Sequence, residues 1–245
     1  MYMWAKRNLG RFFLLLVVVG HPLIISGCHK AEKLSGYNMP PPVFKIEAEK
    51  KVIPQEEERS EDIDYSDFNR LCRINPDTVG WLFIPGTKIN YPIVQTTDND
   101  KYLHTGFNGE DNVAGTIFLD YESDSDLMGK NNILYGHNMK NGTMFRDLVQ
   151  FKNKEFFEEH KYFQIYTMDR VISLKAISCY YGKADAGIRQ TKFNSQEEYE
   201  VFIERVIKKC EYAEIPDKPV KSIYTLITCS YEMNDARTYL IAVEE

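Results

Sequence analysis

Short β-prone segments, separated by turn residues, occupy most of this chain after the first third. Each segment is rich in β-branched and aromatic residues and poor in charge, which is typical of strands. The segments lie at residues 81–84, 89–95, 116–121, 132–136, 162–167, 171–181, 222–229 and 238–243. About eight short strands with few helices favour a closed barrel or a β-sandwich. The sequence therefore predicts a mainly β domain.

A few short helices are expected between these strands. Apolar residues near helical spacing, ended by Asn75-Pro76-Asp77, predict a helix over 63–74. A second short helix is predicted over 144–149. Ser195 and Glu198 form a capping box, which predicts a helix from Ser195 to about Cys210, directly before the strand at 222–229.

The first 28 residues have the composition of a targeting segment, with basic residues before an apolar run at 12–19. One interpretation is an uncleaved membrane anchor, although His21 and Pro22 interrupt a run that is already short for a span. Another is a lipoprotein signal, because residues 25–28 resemble a bacterial lipobox that would be cleaved before a lipidated Cys28. A third is a secretory signal in which Cys28 is incidental. Either of the first two would tether the rest of the chain outside the cell membrane.

Residues 29–62 predict a flexible linker. They combine a run of three prolines, which favours an extended conformation, with a dense mixed-charge stretch. The folded domain is then expected to cover residues 63–245.

Composition excludes several kinds of function. The net charge of −6 comes without a basic stripe, so nucleic acid binding is not expected. The five cysteines lack paired C-x-x-C spacing, which argues against a zinc site. The acidic stretch at 120–126 lacks the glycine and terminal glutamate of an EF-hand and is interpreted as a solvated turn. No metal or cofactor is therefore predicted.

Three side chains at strand ends could together perform acyl transfer through a thioester. Cys229 ends the strand at 222–229, Arg237 precedes the next strand, and His137 follows the strand at 132–136. A free thiol titrates near 8.5, so a nucleophilic cysteine needs a neighbouring base or positive charge. His137 can supply this and can protonate a leaving amine, whereas Arg237 can only donate hydrogen bonds to a carbonyl or oxyanion.

Each of these residues also has a structural interpretation. Cys229 alone could be a buried core cysteine, and His137 could be a structural residue at a strand end. Arg237 could form an ion pair at the barrel rim with Asp235 or Glu232. Among the other histidines, His104 is the main rival to His137 as the acid–base group.

Two sequence motifs decide between the catalytic and the structural interpretations of these residues. Thr-Leu-x-Thr-Cys is present as residues 225–229, and His-Asn-Met-Lys-Asn-Gly-Thr-Met-Phe as residues 137–145. With Arg237 after the cysteine, the chain resembles the sortases, cysteine transpeptidases of Gram-positive cell surfaces, and the histidine segment resembles their class B form. The resemblance covers about residue 63 to residue 245. It implies a closed eight-stranded barrel, with the predicted helix at 195–210 bordering a peptide groove.

The resemblance also implies an activity and its partners. Cys229 would attack a carbonyl within a C-terminal sorting motif of a secreted protein, and the acyl group would pass to a peptidoglycan amine without any cofactor. His137, Cys229 and Arg237 would be catalytic, and Thr228 would help to orient the oxyanion. The enzyme would work on the extracellular face of the cell membrane. The alternatives are a secreted cysteine peptidase and a non-catalytic surface lipoprotein.

Overall fold

The computed structural model describes residues 66–216 and 219–245. The predicted targeting segment with Cys28 and the predicted linker lie outside the described residues, so the boundaries at 28 and 62 stay predictions. Within the described part of the chain, no helix has the length and apolar character needed to cross a membrane.

Eight strands close into one barrel in the described residues, which confirms the predicted mainly β fold. Around the barrel the order is β1, β2, β3, β4, β7, β8, β6 and β5, with β5 returning to β1. The strands are β1 (Thr78–Phe83), β2 (Asn90–Val94), β3 (Ile117–Leu119), β4 (Asn131–Tyr135), β5 (Tyr162–Tyr166), β6 (Val171–Lys183), β7 (Ile223–Cys229) and β8 (Ala236–Glu244). The sandwich alternative is therefore wrong.

Two of the strand pairs are parallel, and one of them organises the functional end of the barrel. β2 pairs with β3 and β4 pairs with β7 in parallel, whereas the other neighbours are antiparallel. Since the carboxyl ends of parallel strands lie at the same edge of a sheet, the residues that follow β4 and β7 leave the barrel side by side.

Helices fill the connections between strands. The α-helices are α1 (Ser66–Ile74), α2 (Lys154–His160) and α3 (Gln196–Ile207), and short 3₁₀ helices span Lys101–Leu103, Asp147–Lys152 and Ala186–Arg189. The Ser195 side chain accepts a hydrogen bond from the Glu198 N–H at 3.2 Å, which confirms the predicted start of α3. The helix predicted at 144–149 is wrong in place, because the chain there forms a turn and then the 3₁₀ helix Asp147–Lys152.

The strand that carries the Thr-Leu-x-Thr-Cys motif is buried on both faces. Its residues Tyr224 and Leu226 point into the barrel core, and Ile223 and Ile227 belong to a second apolar cluster with α3. This double burial explains why β7 is almost continuously apolar rather than alternating. Burying an Ile or Leu side chain contributes about 1.5–3 kcal/mol, so these contacts hold β7 firmly as far as Ile227.

A buried carboxylate ties the connection before α3 to the barrel. Asp120 is fully buried, so the prediction that the acidic stretch is a solvated turn is wrong at this position. Its carboxylate accepts hydrogen bonds from Arg189 at 3.0 Å, the Tyr135 hydroxyl at 2.8 Å and Asn99 at 3.0 Å. Burial alone would raise the pKa of Asp120, but the bonds from Arg189, the Glu122 N–H and Tyr135 outweigh it and lower the pKa.

The lowered pKa predicts how the network responds to acid. Because the folded-state pKa of Asp120 is below its unfolded value near 3.9, its stabilisation is present above that value and is lost as the pH falls below it. We expect Asp120→Asn to lower the free energy of unfolding near pH 7 by about 1–3 kcal/mol, with the deficit shrinking below about pH 4. Urea unfolding between pH 7 and pH 3 measures this, and a deficit that stays constant with pH would contradict it.

Candidate active site

Strand register places Cys229 between His137 and Arg237. In the β4–β7 ladder Tyr135 is opposite Ile227, so two further residues along each strand bring His137 level with Cys229. In the β7–β8 ladder Cys229 is directly opposite Arg237. Neighbouring strands lie about 4.8 Å apart, so all three predicted residues come together at one edge of the barrel.

Cys229 is partly accessible to solvent at this edge of the barrel. It is half-buried, whereas Cys179 and Cys210 are buried in the interior and Cys72 lies on α1. Burial raises the pKa of the Cys179 and Cys72 thiols, which disfavours their thiolate forms. Among the described cysteines, only Cys229 also lies beside a histidine and an arginine that the strand register brings to it.

The position of His137 depends on a close approach at Gly136. A β-carbon at Gly136 would come within 2.4 Å of Ile117 and 2.8 Å of Phe145, which are both fully buried. Glycine therefore lets the chain pass over the core as it leaves β4. The turn is completed by a hydrogen bond from the Phe145 N–H to the His137 carbonyl at 2.9 Å.

One nitrogen of the His137 ring is already engaged. His137 Nε2 lies 2.8 Å from the carbonyl oxygen of Leu103. A carbonyl can only accept, so Nε2 carries a proton in this arrangement and donates it to Leu103. Nδ1 is then the ring nitrogen that remains to exchange a proton with a thiol or an amine.

His104 is also close to the site but is held differently. Its ring is stacked near that of His137, with centroids 6.2 Å apart and planes at 28°. His104 is exposed and lies at the end of the 3₁₀ helix Lys101–Leu103, rather than at a barrel strand. Only His137 continues from a strand that pairs with β7.

Arg237 makes one of the rim contacts considered from the sequence. Its guanidinium lies 3.0 Å from the Asp235 carboxylate and donates to the Ala236 carbonyl at 3.0 Å. Glu232 pairs instead with Lys152. The Asp235 side chain is 65% exposed, and exposed ion pairs contribute only about 0–1 kcal/mol. A guanidinium has five N–H donors, so this pairing leaves others for a substrate oxygen.

Thr228 joins the segments that carry His137 and Cys229. It is buried, and its hydroxyl donates to the Gly136 carbonyl at 2.7 Å. The hydroxyl is therefore used within the barrel, and a contribution of Thr228 to oxyanion binding stays a prediction.

Asn138 is a residue of this site that the sequence did not single out for a role. Its Nδ2 donates to the carbonyl of Cys229 at 2.8 Å. Its place directly after His137 in the motif is the signal that could have drawn attention to it. Within residues 66–216 and 219–245, no three His, Cys, Asp or Glu side chains lie close enough to hold a metal ion.

Comparisons with known proteins agree with this geometry. A family model described as the sortase domain matches residues 82–245. Sortase B of Listeria monocytogenes is 36% identical over 163 residues, which is 66% of each chain. The structure of Clostridium perfringens sortase B matches with a TM-score of 0.69 and 36% identity, covering 73% of this chain and 99% of that one.

A Staphylococcus aureus sortase B–substrate complex also has the same fold. It matches with a TM-score of 0.67 and 31% identity, covering 72% of this chain and 83% of that one. Family model, relatives and structures are all consistent with the two motifs and the barrel. The chain therefore belongs to the sortase family of cysteine transpeptidases, and it is a class B sortase.

Proposed function

We propose that this protein cleaves a C-terminal sorting motif of secreted proteins and transfers the acyl part to a peptidoglycan amine through a thioester on Cys229. The observation that carries this is the register of three adjacent strands, which puts Cys229 between His137 and Arg237. Binding of a sorting-motif peptide is supported by the family and by the Staphylococcus aureus sortase B–substrate complex.

In the first half-reaction Nδ1 of His137 takes the proton of the Cys229 thiol, and the sulfur attacks the peptide carbonyl carbon, forming a carbon–sulfur bond. The carbonyl oxygen becomes an oxyanion, and the guanidinium of Arg237 donates hydrogen bonds to it. As the oxyanion collapses, the carbon–nitrogen bond breaks and His137 gives the proton on Nδ1 to the leaving amine. The product is a thioester on Cys229 and a released C-terminal peptide.

In the second half-reaction an amine of the cell wall attacks the thioester. His137 accepts the proton of that amine through Nδ1, and the carbon–sulfur bond breaks as the new amide forms. The sulfur leaves as a thiolate beside the protonated His137, and return of that proton from Nδ1 to the sulfur restores the starting state. Water in place of the amine would give hydrolysis, which is the activity of the secreted-peptidase alternative.

We also propose that the enzyme is tethered to the extracellular face of the cell membrane by its N-terminus. The support is the sequence alone, with basic residues before the apolar run at 12–19 and a lipobox-like Cys28. The charged stretch at 47–61 would then act as a spacer between the membrane and the barrel.

The function is tested with a library of peptides that carry C-terminal sorting motifs. The library is incubated with the folded domain at residues 63–245, in the presence and absence of an amine acceptor. We expect the enzyme to cleave the peptide after a preferred residue. A new amide product should form only when the amine is present. Cys229→Ala is the matched control and should give neither product. Cleavage without any amide product at high amine concentration would indicate a peptidase instead.

The two neighbouring histidines should differ sharply in their contribution. We expect His137→Ala to lose about 10² or more in turnover, the usual effect of removing a general acid–base group. His104→Ala should lose far less, because its exposed ring is not on a strand that pairs with β7. Steady-state transpeptidation of both variants measures this, and the opposite ranking would assign the acid–base role to His104.

The contribution of Arg237 to turnover should depend on the geometry of its guanidinium as well as on its charge. Lysine supplies a point charge but not the planar fork of donors, and loss of one oxyanion donor costs about 10²–10³ in turnover. We therefore expect Arg237→Lys to lose nearly as much activity as Arg237→Ala. Both variants should still be alkylated at Cys229. Turnover within a few-fold of the parent in Arg237→Lys would show that charge alone is sufficient.

The tether predicts a defined mature N-terminus. If Cys28 is lipidated, the protein extracted from membranes begins at Cys28 and carries an added lipid mass, and Cys28→Ala blocks that processing. If residues 12–27 are an anchor, the extracted protein keeps residues 1–27. Intact-protein mass spectrometry separates the two, and recovery of a lipid-free secreted chain would contradict both.

A further inference from the structure

Asn138 connects the histidine segment to the cysteine strand through three polar groups. It is only 6% exposed. Its Nδ2 donates to the Cys229 carbonyl at 2.8 Å, its Oδ1 accepts from Arg146 at 3.2 Å, and its own carbonyl accepts from the Tyr231 hydroxyl at 3.2 Å. Cys229 and Tyr231 belong to β7 and the turn that follows it, so the contacts cross from one side of the site to the other.

These contacts begin where the regular β4–β7 ladder ends. The last backbone bond between the two segments runs from the Gly136 N–H to the Ile227 carbonyl at 3.2 Å. Beyond it the pairing continues through side chains, first from Thr228 to the Gly136 carbonyl and then from Asn138 to the Cys229 carbonyl. The hydrogen bond from Asn138 is thus the last one in this series, and it lies level with the side chains of His137 and Cys229.

The segment that holds Asn138 is itself well fixed. Asn138 and Met144 form an isolated β-bridge, and the Met144 N–H donates to the Tyr91 hydroxyl at 3.0 Å. The Arg146 contact sets which way the amide faces, because a guanidinium can only donate and so selects the amide oxygen. The NH₂ group is left to face Cys229, and the charge on Arg146 strengthens that hydrogen bond by polarising the amide.

We propose that Asn138 is a positioning residue that holds the backbone of Cys229 at a fixed separation from His137. This inference rests on the proposed thioester chemistry at Cys229. A charged imidazole favours the thiolate through an attraction that weakens with distance, so the reactivity of the thiol depends on that separation. Without this side-chain bond, the segment that carries His137 is no longer held to the Cys229 carbonyl, so the separation can vary although Cys229 stays paired with β8.

The charged groups around this pair are few and come from several elements. His104 is stacked beside His137, Arg237 lies across β7 with Asp235, and Arg146 reaches Asn138 itself. Glu232, on the turn after β7, pairs with Lys152 of the 3₁₀ helix Asp147–Lys152. None of these is removed when Asn138 is replaced, so a change in thiol reactivity would report the lost side-chain bond rather than a lost charge.

The test measures the rate of Cys229 alkylation by iodoacetamide against pH, together with transpeptidation of the preferred peptide. In Asn138→Leu we expect the midpoint of the alkylation profile to move up by about 0.5–1 pH unit relative to the parent. Turnover should fall by about tenfold or more, with little change in KM. Asn138→Ala, which also removes the donor and adds no charge, should behave like Asn138→Leu.

The controls separate positioning from folding and from the proposed function. Asn141→Leu removes an exposed asparagine of the same segment that bonds only to Thr143, and it should match the parent. Arg146→Lys keeps the positive charge but lacks the planar guanidinium that orients the Asn138 amide. It should reproduce the shift in part, which decides the question if the Asn138 variants do not fold. Parent-like midpoint and turnover in folded Asn138→Leu, or in Arg146→Lys when no Asn138 variant folds, would overturn the inference. A parent that forms no amide product would instead remove the proposed function.

Discussion

The parallel pairing of β4 with β7 is the interaction on which the site depends. Because the two strands run in the same direction, the chain leaves both at one edge of the barrel, and His137 emerges level with Cys229. β8 then returns antiparallel on the other side of β7 and brings Arg237 opposite the same cysteine. If β4 and β7 were antiparallel, His137 and Cys229 would lie at opposite ends of the barrel.

The rigidity of this arrangement comes from burial rather than from the polar residues themselves. β7 is covered by the barrel core on one face and by α3 on the other, so it has little freedom to slide or tilt. The reacting groups lie just beyond this fixed part, where side-chain bonds from Thr228 and Asn138 take over from the ladder. Preorganisation of this kind is what keeps an acid–base pair and a nucleophile at reacting distance.

The sequence predicted the strands well because they depend on local signals. β-prone segments alternate with turn residues, and the motifs at 137–145 and 225–229 mark the site directly. Helix α2 is not among the predicted helices because its 7 residues are too few to show a helical period. Its one local signal is the N-cap, where Asn153 accepts from the Phe156 N–H. Its buried Phe157 belongs to the barrel core, which only the tertiary fold reveals.

What the sequence could not supply was the set of partners fixed by long-range register. From the sequence, Asp120 is interpreted as one carboxylate of a solvated acidic run. Only the fold brings Arg189 and Tyr135 into hydrogen-bonding contact with it. The roles of Asn138 and Leu103 likewise depend on contacts across the barrel edge, not on residue type. Such contacts follow from the closed sheet, whose pairings join segments far apart in the chain.

A crystal structure of the acyl-enzyme tests the central claim most directly. It would be trapped by adding a sorting-motif peptide without any acceptor amine. The account predicts a thioester on Cys229 whose carbonyl oxygen lies within hydrogen-bonding distance of the Arg237 guanidinium. It also predicts that Nδ1 of His137 faces the side from which the amine leaves, with Nε2 still bonded to Leu103. An acyl group on another cysteine, or a carbonyl oxygen directed away from Arg237, would contradict it.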